Sequence, residues 1–201
     1  SFIGSQGVTY DPMKEVIVTV GGSEAIDIAL RAMINPGDEV LIPQPSYVSY
    51  EPCAILANAK PVIIELKEEN EFRLTAQELR EAITDKTKVL ILPFPNNPTG
   101  AIMEKKDLEE IAEVIREKDI FIISDEIYAE LSYEHKFCSI AAFDEIKDQV
   151  ILVSGFSKAY AMTGWRIGFI AGPEWLVKAC NKLQGQYTSG PCSVSQKAAE
   201  A

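Results

Sequence analysis

The sequence holds a single histidine, His135, and four cysteines, Cys53, Cys138, Cys180 and Cys192, that form no Cys-x-x-Cys pair. Imidazole and thiolate ligands at metal-binding spacing are therefore lacking, and no metal site is expected. His135 lies between Glu134 and Lys136 in a polar stretch and reads as an exposed loop residue, so hydrolysis built on serine and histidine has no support. Scattered thiols in a chain of this size make no disulfide framework. They read as reduced, which points to a reducing compartment, the cytoplasm. Basic residues number 19 against 30 acidic ones, for a net charge of -11. With no tight basic group, a polyphosphate backbone would repel the chain, and nucleic acid is not an expected partner. No apolar run approaches the roughly 18 to 20 residues that cross a bilayer, and Ser1-Phe2-Ile3-Gly4-Ser5-Gln6 has neither region of a signal peptide, so no membrane partner is expected. Repeats, charge blocks and low-complexity segments are also missing. What remains is an ordinary globular composition, 47% hydrophobic and 24% charged.

Seven short runs rich in Val and Ile punctuate the chain, at 16–20, 39–42, 61–65, 88–92, 120–123, 150–153 and 167–171. Continuous apolar runs of this length read as buried strands. Between them lie helical patterns, with Ala25, Ile28, Ala29 and Ala32 on one face and Leu108, Ile111, Ala112 and Ile115 on another. Alternating strand and helix predicts an α/β fold, a three-layer α/β/α sandwich around a mostly parallel seven-stranded sheet. In such sheets ligands sit at the carboxyl ends of the strands, so the informative residues are those that follow each run. The end, Ser195 to Ala201, is helix-like and has no capping signal, and the chain is expected to be a piece of a longer protein.

The first strand is followed by Gly21-Gly22-Ser23-Glu24 and a helix, where free N–H groups, a hydroxyl and the helix dipole could receive an anion. A tight turn with Ser23 as N-cap is the plainer alternative. The loop is neither a Walker loop nor GxGxxG, so a nucleotide is not indicated. A turn cluster, Pro95-Asn96-Asn97-Pro98-Thr99-Gly100, follows the fourth run. The fifth leads into Ser124-Asp125-Glu126-Ile127-Tyr128, a carboxylate at a strand end with a phenol three residues on; alone, Asp125 could equally be a helix N-cap. After the sixth comes Ser154-Gly155-Phe156-Ser157-Lys158, and Lys158 has the least surface-like setting of the lysines.

Taken in order, GGSEA at 21–25, PNNPTG at 95–100, SDEIY at 124–128 and SGFSKAYAMTGWRIG at 154–168 resemble the fold type I, pyridoxal-phosphate-dependent aminotransferases of class I and II, the aspartate aminotransferase family. The resemblance spans nearly the whole chain and implies that residues 1–201 form the large, cofactor-binding domain. It implies an enzyme that moves an amino group from an L-amino acid to a 2-oxo acid, with pyridoxal 5'-phosphate as electron sink. A C–S or C–C lyase on the same lysine, and a non-catalytic pyridoxal-phosphate-binding domain of a regulator, are the alternatives it leaves open.

Carried over residue by residue, the resemblance makes Lys158 the imine-forming amine and proton shuttle, with burial and nearby positive charge lowering its pKa. Asp125 would be ionised against the pyridinium. Asn97 and Tyr128 would bond the cofactor's phenolic oxygen, and Tyr47 would stack on its ring. Gly22, Ser23, Glu24, Ser157 and Arg166 would surround the phosphate. The chain departs from the family pattern at Gly155, where many members carry a hydroxyl that Ser154 or backbone must replace. Another departure is Glu24, an acid whose side chain must point away while its backbone N–H donates. Ser23 stands where aspartate-preferring members can place a lysine. Members run to about twice this length, with an N-terminal arm and a small domain bearing the arginine that grips the substrate α-carboxylate; a homodimer is expected, with Tyr187 to Gly190 approaching the partner's phosphate site.

Overall fold

A computed structural model describes residues 7–133 and 137–201, so the expectations for His135 and for the first six residues lie outside what is described. All seven apolar runs are strands: β1 (Val16–Thr19), β2 (Glu39–Gln44), β3 (Lys60–Glu65), β4 (Thr87–Leu92), β5 (Phe121–Asp125), β6 (Val150–Gly155) and β7 (Gly168–Ala171). They form one sheet in the order β1-β7-β6-β5-β4-β2-β3. β7 runs antiparallel to both neighbours, β1 and β6, and every other pairing is parallel.

Successive residues of a strand point to opposite faces, and the sheet uses both. Leu90, Ile122, Leu152 and Ala171 pack on one face; Val89, Ile91, Ile123, Ile151 and Ile170 pack on the other. That double burial is why the runs are continuous rather than alternating. The first face is covered by α3 (Ala76–Ala82) and α4 (Lys105–Ile115) with the turns around Ile140 and Ile146. The second is covered by α1 (Gly21–Met33), α2 (Tyr50–Leu56) and α5 (Glu174–Tyr187). A short α6 (Ser193–Glu200) follows α5. Ile123 and Ile151 are wholly buried, and cutting either back to alanine would cost about 2–5 kcal/mol.

The helices begin where their sequences allow. α4 opens on a reciprocal cap, with the Glu104 side chain taking the Asp107 N–H and the Asp107 carboxylate taking the Glu104 N–H, and α3 opens on the same arrangement between Thr75 and Glu78. α1 has no side-chain N-cap: it starts at Gly21, two residues before the serine that the sequence offered for that role, and Ser23 lies inside the first turn. Among the described residues no helix is long and apolar enough to cross a membrane.

Candidate active site

The carboxyl ends of β1, β4, β5 and β6 open on a cleft of about 210 Å³. Gly22 and Ser23 reach it from the first turn of α1, Tyr47 from the loop after β2 and Asn97 from the turn after β4. Asp125 and Tyr128 come from the end of β5, and Ser157, Lys158 and Arg166 from the loop between β6 and β7. Residues separated by up to 144 positions, Gly22 to Arg166, thus face one space.

Asp125 is the last residue of β5 and is buried at the floor. Its Oδ2 accepts a 2.8 Å hydrogen bond from the Tyr50 hydroxyl, and its Oδ1 accepts the Ile127 N–H at 3.2 Å. It therefore caps a turn, not a helix. Burial pushes its carboxyl above the ordinary range, while the Tyr50 and Ile127 donors pull it back down. Tyr50 is itself 3% exposed and also lines the cleft. Its phenol is held far above the usual tyrosine range, first by burial and then by the Asp125 charge, so it stays a donor.

The two asparagines of the turn after β4 divide the labour. Asn96 is buried and builds the turn: its Oδ1 accepts the Thr99 N–H and hydroxyl at 3.2 and 3.0 Å. Asn97 is left exposed to the cleft. Tyr47, beside it, sets its ring edge-on to Tyr50 at 5.6 Å.

Lys158 differs from its expected setting. It is exposed at the cleft rather than buried, with its Nζ 5.7 Å from the centre of the Tyr128 ring. Arg166 adopts a left-handed backbone (φ 55°) and bonds the Thr163 carbonyl through Nη1 at 2.9 Å, while Thr163 Oγ1 donates to the Ser157 carbonyl at 2.9 Å. The guanidinium lies over the first turn of α1: a Cβ at Gly21 would run into Nη2. Behind that turn, β7 approaches so closely that a Cβ at Gly168 would be 2.6 Å from the Gly21 carbonyl carbon and 2.7 Å from the Gly22 nitrogen.

Two expected residues stand elsewhere. Ser154 does not replace the hydroxyl missing at Gly155; its Oγ faces away from the cleft and donates to the Glu126 carbonyl at 3.3 Å. Gly155 itself has no room for a side chain, since a Cβ there would be 2.8 Å from the Ile167 carbonyl. Glu24 does not line the cleft. Its carboxylate turns back to the Val20 N–H, to Gln184 and to Thr188.

Next to Asp125, but on the opposite face of the sheet, Glu126 is 1% exposed. Its Oε1 accepts from Ser139 at 2.6 Å and Ser124 at 3.0 Å. Burial outweighs both donors and pushes the carboxyl up to about 8. Sequence reasoning missed Tyr50 as part of the site's support and Glu126 as a buried acid beside it. For Tyr50 the available signal was a phenol three residues after Tyr47 at the start of a helix, because a buried phenol needs a partner.

A family profile described as aminotransferase class I and II matches residues 1–201. An aspartate aminotransferase of Pyrococcus abyssi is 48% identical over 193 residues, covering 96% of this chain and 50% of that protein. Aromatic-amino-acid aminotransferase 2 of Thermococcus litoralis is 46% identical, with coverages of 96% and 50%. Among solved structures, the aromatic aminotransferase from Pyrococcus horikoshii OT3 superposes with a TM-score of 0.92 at 42% identity, covering 99% of this chain and 57% of that one. Aspartate aminotransferase from Thermus thermophilus with maleate gives 0.94 at 38% identity, with coverages of 98% and 51%. The chain spans about half the length of the curated relatives it matches.

Proposed function

The chain belongs to the class I and II aminotransferases, and on that premise we propose that residues 1–201 are the cofactor-binding large domain of a pyridoxal-phosphate-dependent enzyme that transfers an amino group from an L-amino acid to a 2-oxo acid. The observation that carries this reading is the cleft: one space collects Gly22, Ser23, Tyr47, Asn97 and Asp125 with Tyr128, Ser157, Lys158 and Arg166.

The residues present suit the group. One end of the cleft offers the N–H groups of α1, two serine hydroxyls and a guanidinium, a donor set for a phosphate dianion. The other end holds a buried carboxylate that accepts two hydrogen bonds and has no ion pair among the described residues, which is the partner a protonated ring nitrogen requires. When bound, pyridoxal phosphate supplies an electron sink for the carbanion formed at the substrate Cα.

Each side chain then has a task. Asp125, steadied by Tyr50, holds a positive charge at the floor. Asn97 and Tyr128 would hold the cofactor through its phenolic oxygen, and Tyr47 would close one wall with its own ring. Lys158 is the amine that would hold the cofactor and move the proton at the substrate Cα. Ser23, Ser157 and Arg166, with the Gly22 backbone, fix the phosphate and hence the orientation of the Cα–H bond; an error of about 1 Å there can cost on the order of 100-fold in rate. Glu24 contributes no side chain to this set. The names of the relatives favour transamination over the lyase and regulator readings.

We read the protein as a cytoplasmic homodimer, consistent with the exposed Cys192 thiol and with Ile55, Leu56 and Ile63 left exposed along α2 and the β3 edge beside Val48 of the preceding loop. The test is an absorbance titration with pyridoxal phosphate, followed by borohydride reduction and peptide mapping. A new visible band and a pyridoxyl group on Lys158 are expected; labelling confined to other lysines would overturn the reading.

A further inference from the structure

Glu24 is an acid one residue from the proposed phosphate cup, yet its carboxylate is fully engaged elsewhere. Oε2 accepts the Val20 N–H at 2.6 Å and Gln184 Nε2 at 3.1 Å, and Oε1 accepts the Thr188 hydroxyl at 2.5 Å. Gln184 is 5% exposed, and its Nε2 also donates to the Val18 carbonyl at 2.9 Å. One carboxylate therefore joins the end of β1, the first turn of α1 and the last turn of α5, which are 160 to 164 positions apart in sequence.

The turn it braces needs bracing. α1 has no side-chain N-cap, and Gly21 and Gly22 bring no side chains to restrict the backbone that connects β1 to the helix. From the other sides the Thr19 hydroxyl donates to the Gly21 carbonyl at 2.9 Å, the Arg166 guanidinium lies against Gly21, and the backbone of β7 stands close. By taking the Val20 N–H and tying it to α5, the Glu24 carboxylate sets the direction in which the free N–H groups of the first turn point.

We propose that Glu24 is a positioning residue for the cofactor phosphate: it never touches the anion but, through Gln184 and Thr188, locks the first turn of α1 in the orientation that binds it. This rests on the pyridoxal-phosphate reading above. The proposal predicts a sign opposite to simple electrostatics. Removing a negative charge beside an anion site should tighten binding if charge alone matters, whereas losing the brace should loosen it.

The test compares pyridoxal 5'-phosphate with pyridoxal, which lacks the phosphate, by equilibrium titration of the wild type, Glu24→Ala and Gln184→Met. Glu24→Ala should weaken pyridoxal phosphate on the order of tenfold, the worth of about one lost hydrogen bond to a charged group, and leave pyridoxal within about twofold. Gln184→Met, which removes a donor to Glu24 from inside α5 and leaves residues 187–190 unchanged, should weaken pyridoxal phosphate in the same selective way by a smaller factor, and it carries the test if Glu24→Ala does not fold. Equal losses for both compounds, no loss, or tighter binding of pyridoxal phosphate would each overturn the proposal. If the wild type binds neither compound, the functional reading itself falls; if it binds both and the ratio is unmoved in the variants, only the role of Glu24 falls.

Discussion

The Tyr50 hydroxyl donates to Asp125 Oδ2 at 2.8 Å across 75 residues of sequence, and so the helix that follows β2 holds the carboxylate at the end of β5. A buried carboxylate is costly, and the bond lowers that cost by favouring the ionised form. Tyr50→Phe removes one donor and should push the Asp125 carboxyl higher still. The expected result is a folded protein less stable by about 1–2 kcal/mol in urea unfolding and with weaker affinity for pyridoxal phosphate. Unchanged affinity would show that Asp125 needs no help to carry its charge.

Lys158 is exposed, with its Nζ 5.7 Å from the centre of the Tyr128 ring, so its removal should leave stability within about 0.5 kcal/mol. Lys158→Ala should nonetheless abolish the borohydride-stable attachment of the cofactor. Unfolding curves and mass spectrometry of the reduced, digested protein separate the two effects.

At Gly168 the limit is steric. A methyl group would meet the backbone of Gly21 and Gly22, which cannot retreat without moving the first turn of α1. Gly168→Ala should destabilise by about 1–3 kcal/mol or more and weaken phosphate binding, read by thermal unfolding and cofactor titration. Gly185→Ala, with open space around its Cα on an α5 turn, is the control and should do neither.

Glu126 predicts a pH dependence. Its carboxyl is raised in the folded chain to about 8 from an ordinary 4.5, so between those values the folded state holds a proton that the unfolded state has released. Stability from this group is thus complete below about pH 4.5, falls as pH rises toward 8 and levels off above it, a loss on the order of a few kcal/mol. Glu126→Gln should remove that slope. Urea unfolding at a series of pH values checks it, and parallel profiles for the two proteins would contradict the assignment.

How much of this was legible beforehand varies by residue. The strands were, because burial on both faces writes an unbroken apolar run, although β5 extends to Asp125 where the run stops at Ile123: a carboxylate at a strand end carries no apolar signal. Most members of the cleft were legible from four motifs that each follow a strand; Tyr47 and Tyr50, after β2, lie outside those motifs. What could not be read was pairing across distance. Nothing local tells that Tyr50 meets Asp125, that Glu24 meets Thr188, or that Lys158 stays exposed. The choice between Asn96 and Asn97 is settled by the direction of a turn, and the vacancy of a hydroxyl at 155 by a carbonyl of Ile167.

The pairing of β1 with β7 joins Val16 to Ala171, 155 positions later (171 − 16). During synthesis, at roughly 5–20 residues per second, β1 waits about 8–30 s before its partner strand exists. Until then its edge is unpaired and the backbone of Gly21 and Gly22 has nothing behind it. A nascent chain halted before Gly168 should therefore be blind to pyridoxal phosphate even though most of the sheet has been made, and the ligand can act on the growing polypeptide only as a late clasp.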